Sequence, residues 1–234
     1  MASSPLIAIA GSDRHRNGKT MLARVLVDFL LMEGRDPYCL DLSHPEGALR
    51  AFFPGRTALV DFTQVSGQMK VFDTILAGPG RDYVIDLPAQ DLARFCEVTG
   101  SLDFRKAAHE AGFRIAVLFV IDADAESLKT AAAVEDILLP DIFVPVANRF
   151  VGSALPDGVP GPVLTMEKLD PDLHAIISNR RFSFRTFLMG EESGVPMRLR
   201  PNLKSFLHGL MAGMREFEPA LSLQTLRQQD LGQP

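Results

Sequence analysis

A strand, a loop and a helix follow one another within the first 31 residues, and the helix opens on Gly18-Lys19-Thr20. Residues 6–10 (LIAIA) form an apolar run closed by Gly11-Ser12-Asp13. From Thr20 onward, Met21, Leu22, Val25, Leu26, Phe29 and Leu30 recur with helical period. In this order the loop has the closing half of a phosphate-binding site. Backbone amides and a lysine hold the phosphates, a hydroxyl holds magnesium, and the helix N-terminus adds partial positive charge. Lys19 is expected to reach the β- and γ-phosphates of ATP and Thr20 to ligate Mg²⁺, with Asn17, Gly18 and Met21 completing the nucleotide contact. The competing reading is an ordinary helix start with a solvated lysine.

The opening half of the loop departs from that pattern. Aspartate stands at position 13, where a phosphate loop begins on glycine, and the spacer reads Arg14-His15-Arg16-Asn17. A carboxylate repels a triphosphate, and non-glycine residues at 13, 15 and 16 restrict the positive-φ geometry by which amides wrap phosphate. Arg14 and Arg16 offset the charge, or else wall a loop without a ligand.

Beyond this unit, strands are expected at 38–42, 83–87, 115–121, 142–147 and 162–166, and helices at 68–76, 92–98, 104–111 and 125–138. Residues 115–121 are unbroken apolar sequence, as in a parallel strand covered on both faces. The alternation predicts an α/β fold: a doubly wound, mostly parallel sheet with helices on both faces, Rossmann-like, with ligands at the carboxyl ends of the strands. A Gly/Pro-rich loop occupies 152–162, and a further helix is marked by Leu203, Phe206, Leu207, Leu210, Met211, Met214 and Phe217. Residues 1–227 are expected to form a single nucleotide-binding domain and 228–234 a polar, frayed tail.

Composition narrows the function classes. A chain of 234 residues, 47% apolar and with net charge −5, can build one sizeable α/β core and has no overall attraction to nucleic acid. Cys39 and Cys96 lie far apart in apolar contexts, without metal-site spacing, and read as buried thiols. No apolar run approaches the ~20 residues of a membrane span, and no signal peptide is evident, so a cytoplasmic location is expected.

Asp41 and Asp86 close the second and third of these strands, at the sheet edge where Lys19 sits. Two carboxylates there suit Mg²⁺ coordination and positioning of an attacking water. Strand-end aspartates also cap the segment that follows.

Four segments in order resemble the ParA/MinD family of P-loop ATPases. RDYVIDLPA (81–89) is similar to that family's YDYVIIDTPP, and CLDLSHPEGALRAFF (39–53) to its LIDLDPQGNLS strand and switch. VLFVIDADAESLKTAAA (117–133) and VPVANRF (144–150) resemble two later elements, so the likeness spans roughly residues 5–190. The resemblance implies a slow ATPase switch, a nucleotide-dependent homodimer acting in partitioning, positioning or partner recruitment. It makes Asp86 the switch aspartate, Asn148 the adenine-contacting side chain, and Asp41 and Arg14 members of the catalytic set. Arg14 stands where the family's KGGVGKT has the lysine that crosses the dimer interface, and Ser43 where a second switch aspartate is expected. Hydrolysis is therefore expected to be slow. Two rivals remain, a non-hydrolysing pseudo-ATPase that works by surface recognition and a dethiobiotin-synthetase-like ATP-dependent ligase.

Between residues 180 and 204, Arg180, Arg181, Arg185, Arg198, Arg200 and Lys204 outnumber Glu191 and Glu192 and are interleaved with Phe182, Phe184 and Phe187. Such a stretch can meet DNA phosphates or an acidic protein partner. It is equally a solvated face over core phenylalanines.

Overall fold

A computed structural model of the chain describes residues 4–150, 158–159, 161–180, 182–191 and 194–230, with backbone alone for 218–230. The chain begins with β1 (Leu6–Gly11), α1 (Lys19–Met32), β2 (Tyr38–Asp41), β3 (Thr57–Leu59), α2 (Val65–Leu76) and β4 (Tyr83–Asp86). It continues through α3 (Leu92–Ser101), α4 (Phe104–Glu110), β5 (Arg114–Ile121), α5 (Ala125–Leu138), β6 (Ile142–Asn148) and β7 (Leu164–Met166). Helices α6 (Pro171–Ile177), α7 (Phe184–Leu188) and α8 (Arg200–Asp230) follow.

Among the described residues seven strands form one sheet in the order β3-β2-β4-β1-β5-β6-β7, and each pairing is parallel. The alternation of side chains along a strand divides the core into two layers. Leu6, Ala8 and Ala10 of β1 face a cluster built with α1, α6, α7 and α8, whereas Ile7 and Ile9 face one built with α2, α3, α4 and α5. β5 is buried along its whole length, as the unbroken apolar sequence of 115–121 predicts for all but its first residue, Arg114. The expected doubly wound α/β fold is the one observed.

Helix α1 buries Leu22, Val25, Leu26, Phe29 and Leu30 on one face and ends at Gly34, whose φ of 77° lets the chain reverse while Arg35 N–H donates to the Leu30 carbonyl at 2.9 Å. Both free thiols are buried, and burial pushes Cys39 up to about 12 and Cys96 up to about 11. Among the described residues no helix is long and apolar enough to cross a membrane.

Three expectations change. The edge strand β3 was not foreseen, because three residues flanked by Arg56 and Val60 carry no readable alternation. The expected 162–166 strand shortens to Leu164–Met166. Helix α8 runs through Gln228 to Asp230, while 231–234 and most of the 152–162 loop lie outside the described residues.

Candidate functional site

The carboxyl ends of β1, β2 and β4 meet the start of α1 around an open cleft of about 990 Å³. Asn17, Gly18, Lys19, Thr20 and Met21 line one wall. Ser43, Glu46 and Ala48 line another, and Pro88, Ala89 and Gln90, just past Asp86, a third. His174 of α6 borders the same space. Lys19, Thr20 and the predicted loop residues are thus together, at the edge where the strand order reverses around β1.

Gly18 carries the turn into α1. Its φ of +99° belongs to the left-handed region, and a Cβ there would fall 2.5 Å from Asn148 Nδ2 and 2.9 Å from Met166 Cε. Glycine is therefore needed for the conformation and for the close approach of Asn148. That amide donates to the Asn17 carbonyl at 2.7 Å, across a sequence separation of 131 residues, and its Oδ1 accepts from Phe150 N–H at 3.0 Å. Asn148 braces the loop from β6.

Positive φ is reached in the loop without its usual glycine: Arg16 adopts φ 57°, while Asp13 and His15 do not enter that region. The buried Asn17 side chain fills the loop interior, its amide donating to Ser12 Oγ and its Oδ1 accepting from Lys19 Nζ at 3.2 Å. Lys19 Nζ also donates to the Arg14 carbonyl. Burial holds the Lys19 ammonium below its ordinary pKa, against the opposing pull of Asp86 and Asp13. A desolvated cation surrounded by loop oxygens is a site for which an anion would compete well.

Asp13 is held from the α5 side of the loop. Its Oδ1 accepts from Ser127 Oγ of α5 at 2.8 Å, and Arg14 Nε lies 3.3 Å from its Oδ2. Arg14 reaches further along the same edge, with Nη2 2.5 Å from Asp124 Oδ2 and Nε 4.0 Å from Asp122 Oδ2. Its side chain is held within its own chain by three carboxylates and is not brought to Lys19, Thr20 and Asp86.

The strand-end aspartates differ. Asp86 lies behind Thr20, whose hydroxyl donates to its Oδ2 at 2.8 Å. Full burial pushes its carboxyl up to about 7, the neighbouring Asp41 adds to this, and the Thr20 bond and Lys19 oppose it. Asp41 is saturated: Oδ1 accepts from Ser43 N–H at 2.9 Å and Ser43 Oγ at 2.5 Å, and Oδ2 from Leu49 and Arg50 N–H at 2.8 Å each. It closes the 43–50 segment on itself. Ser43 is fixed in the same way, because its Oγ also accepts from Ala48 N–H at 2.9 Å.

In the basic stretch the phenylalanines are core: Phe182, Phe184 and Phe187 are buried. Arg198 pairs with Asp172 at 2.6 Å, Arg180, Arg185, Arg200 and Lys204 are exposed, and Arg181 lies outside the described residues. Sequence reading missed Glu46, Gln90 and His174 on the cleft. For Gln90 a signal existed in its position just after Asp86; for His174, on a helix far along the chain, there was none.

No family model and no curated protein sequence matches the chain. Among solved structures it is similar to MinD, a cell division protein of Aquifex aeolicus, at TM-score 0.53 and 15% identity over 89% of this chain and 98% of that one. The fold is that of MinD. MinD within the MinC:MinD cell division protein complex of the same organism gives TM-score 0.52 and 16% identity over 89% and 96%. A putative plasmid partition protein of Borrelia burgdorferi, bound to AMPPNP, gives TM-score 0.51 and 13% identity over 91% and 100%. At such identities the MinD likeness is one of fold, and the chemistry has to be argued from the cleft.

Proposed function

We propose that this chain binds ATP with Mg²⁺ in the cleft and acts as a ParA/MinD-like nucleotide-dependent switch. The observation that carries the reading is the set Lys19, Thr20 and Asp86: a buried ammonium among loop oxygens, next to a hydroxyl bonded to a buried carboxylate. Lys19 and the α1 N-terminus would hold the phosphates. Thr20 would ligate the metal and Asp86 would act through it, each supplying an oxygen of the kind Mg²⁺ prefers. Among the described residues no group of three or more His, Cys, Asp or Glu side chains could hold a metal. That fits an ion which takes one or two protein ligands and completes its shell with phosphate and water. When bound, the ion would neutralise phosphate charge.

The switch reading is supported by the other two walls. The segments after Asp41 and Asp86 both border the cleft, so a γ-phosphate placed there would favour one arrangement of each and one partner surface. Homodimerisation and recruitment of a protein or DNA partner through residues 180–204 belong to this proposal.

A second reading, a non-hydrolysing relative, is favoured by two observations. Ser43 is tied into the Asp41 loop, and Arg14 is held by Asp13, Asp122 and Asp124 of its own chain. Both side chains are committed to partners within the chain, so turnover is expected to be slow at most. Sedimentation velocity with Mg²⁺ and AMPPNP, beside a phosphate-release assay with ATP, tests both readings. The switch reading expects wild type, and not Lys19→Ala, to shift to dimer. A monomer that binds nucleotide but neither dimerises nor releases phosphate would leave the second reading standing and sink the first.

A further inference from the structure

Resting on the nucleotide reading above, we propose that the base of the bound nucleotide is held by stacking on His174, backed by Phe150, and not by the Asn148 side chain. The cleft is lined by two chemically different sets of groups. Lys19 and Thr20 are the ones suited to phosphate and metal; His174 of α6 borders the same space with an exposed imidazole. That ring lies nearly parallel to Phe150, with centroids 5.8 Å apart and an interplanar angle of 17°. Phe150 is itself 50% exposed, immediately after β6. Two flat rings held nearly parallel, one of them bordering the cleft, offer a preformed π surface. Such surfaces accept planar heteroaromatic rings without needing to read their edges.

Asn148 is the obvious competitor for this role, and its amide is already engaged at both ends. Its Nδ2 supports the Asn17 carbonyl and its Oδ1 holds the Phe150 amide. Turning it toward a base would withdraw both, loosening the phosphate loop and the aromatic platform together. Asn148 is thus a positioning residue shared by the phosphate loop and the Phe150 backbone. Ser178, just past the end of α6, has its Oγ 3.5 Å from His174 Nδ1. The ligand class that matches the whole arrangement is a nucleoside triphosphate. Inorganic tripolyphosphate has the same charged groups and lacks the ring.

Calorimetric titrations of the full chain with Mg-ATP and with Mg-tripolyphosphate separate the two sets of groups, using wild type, His174→Ala and His174→Phe. We expect His174→Ala to weaken Mg-ATP about tenfold, the size of one lost base–aromatic stack, and to leave tripolyphosphate unchanged. His174→Phe, which keeps a flat ring, should restore ATP affinity to within about threefold of wild type. Phe150→Ala should fall between wild type and His174→Ala. The platform is overturned if His174→Ala leaves ATP unchanged, if it weakens both ligands equally, or if His174→Phe is no better than alanine. If wild type binds neither ligand, the nucleotide reading falls and the platform with it. If wild type binds both and only the His174 result fails, the phosphate site stands and the platform alone is lost.

Discussion

Asp41 and Asp86 are the same residue at the same place on neighbouring strands, paired in register across the sheet, and the structure gives them opposite tasks. Asp41 ends β2 where the chain folds back at once, and four donors from residues 43, 49 and 50 surround its carboxylate. Asp86 ends β4, which continues into Leu87 and Pro88, and Pro88 has no N–H to offer. A hydrogen bond from Thr20 reaches it, and burial raises its pKa to about 7. The four bonds to Asp41 stabilise the fold, whereas the burial of Asp86 works against its ionisation. A buried carboxylate left with few donors is the kind of group the proposed metal site would use.

The same substitution at both positions breaks the comparison open. Asp41→Asn replaces one acceptor oxygen by a donor facing backbone N–H groups, and should cost about 4 kcal/mol in urea denaturation, through at least two lost charge-assisted bonds and the repulsion of like donors. Asp86→Asn should act the other way. Raising a carboxyl from 3.8 to about 7 on folding makes wild-type stability fall as pH rises from about 4 to about 7, with the loss complete above that range. The variant lacks this loss, so at pH 8 it should be more stable than wild type by about 4 kcal/mol, a gap that closes toward pH 4. Equal effects of the two substitutions would erase the distinction. In the variant the dependence of nucleotide affinity on Mg²⁺ should weaken, whereas in wild type that affinity should rise as pH climbs through about 7 and Asp86 ionises. Smallest in effect, Ser43→Ala should cost about 1–2 kcal/mol, since it removes one donor to Asp41 and one acceptor for Ala48 N–H, and should leave nucleotide affinity unchanged.

How legible each feature was follows from how local its cause is. The β1–α1 unit could be read because an apolar run, Gly18-Lys19-Thr20 and a helical repeat sit within 31 residues, and β5 because eight consecutive residues are buried. Strand β3 was invisible because its neighbour β2, not its own pattern, makes it a strand. Within the site, Lys19, Thr20 and Asp86 could be nominated from motif order. The difference between Asp41 and Asp86 could not, because it depends on which loop returns its N–H groups. The positive φ at Arg16 ran against the glycine rule, and the Asn148 brace joins residues 131 apart, a distance over which one sequence carries no spacing signal. The capture of Arg14 by Asp122 and Asp124 is hidden for the same reason.

The central claim is that Lys19 waits at a phosphate site, and calorimetric titration of Mg-ATP into wild type and Lys19→Ala tests it most directly. The account predicts saturable micromolar binding to wild type that disappears in the variant. Absence of binding by wild type to ATP or ADP at millimolar concentration, or equal binding by both proteins, would contradict it.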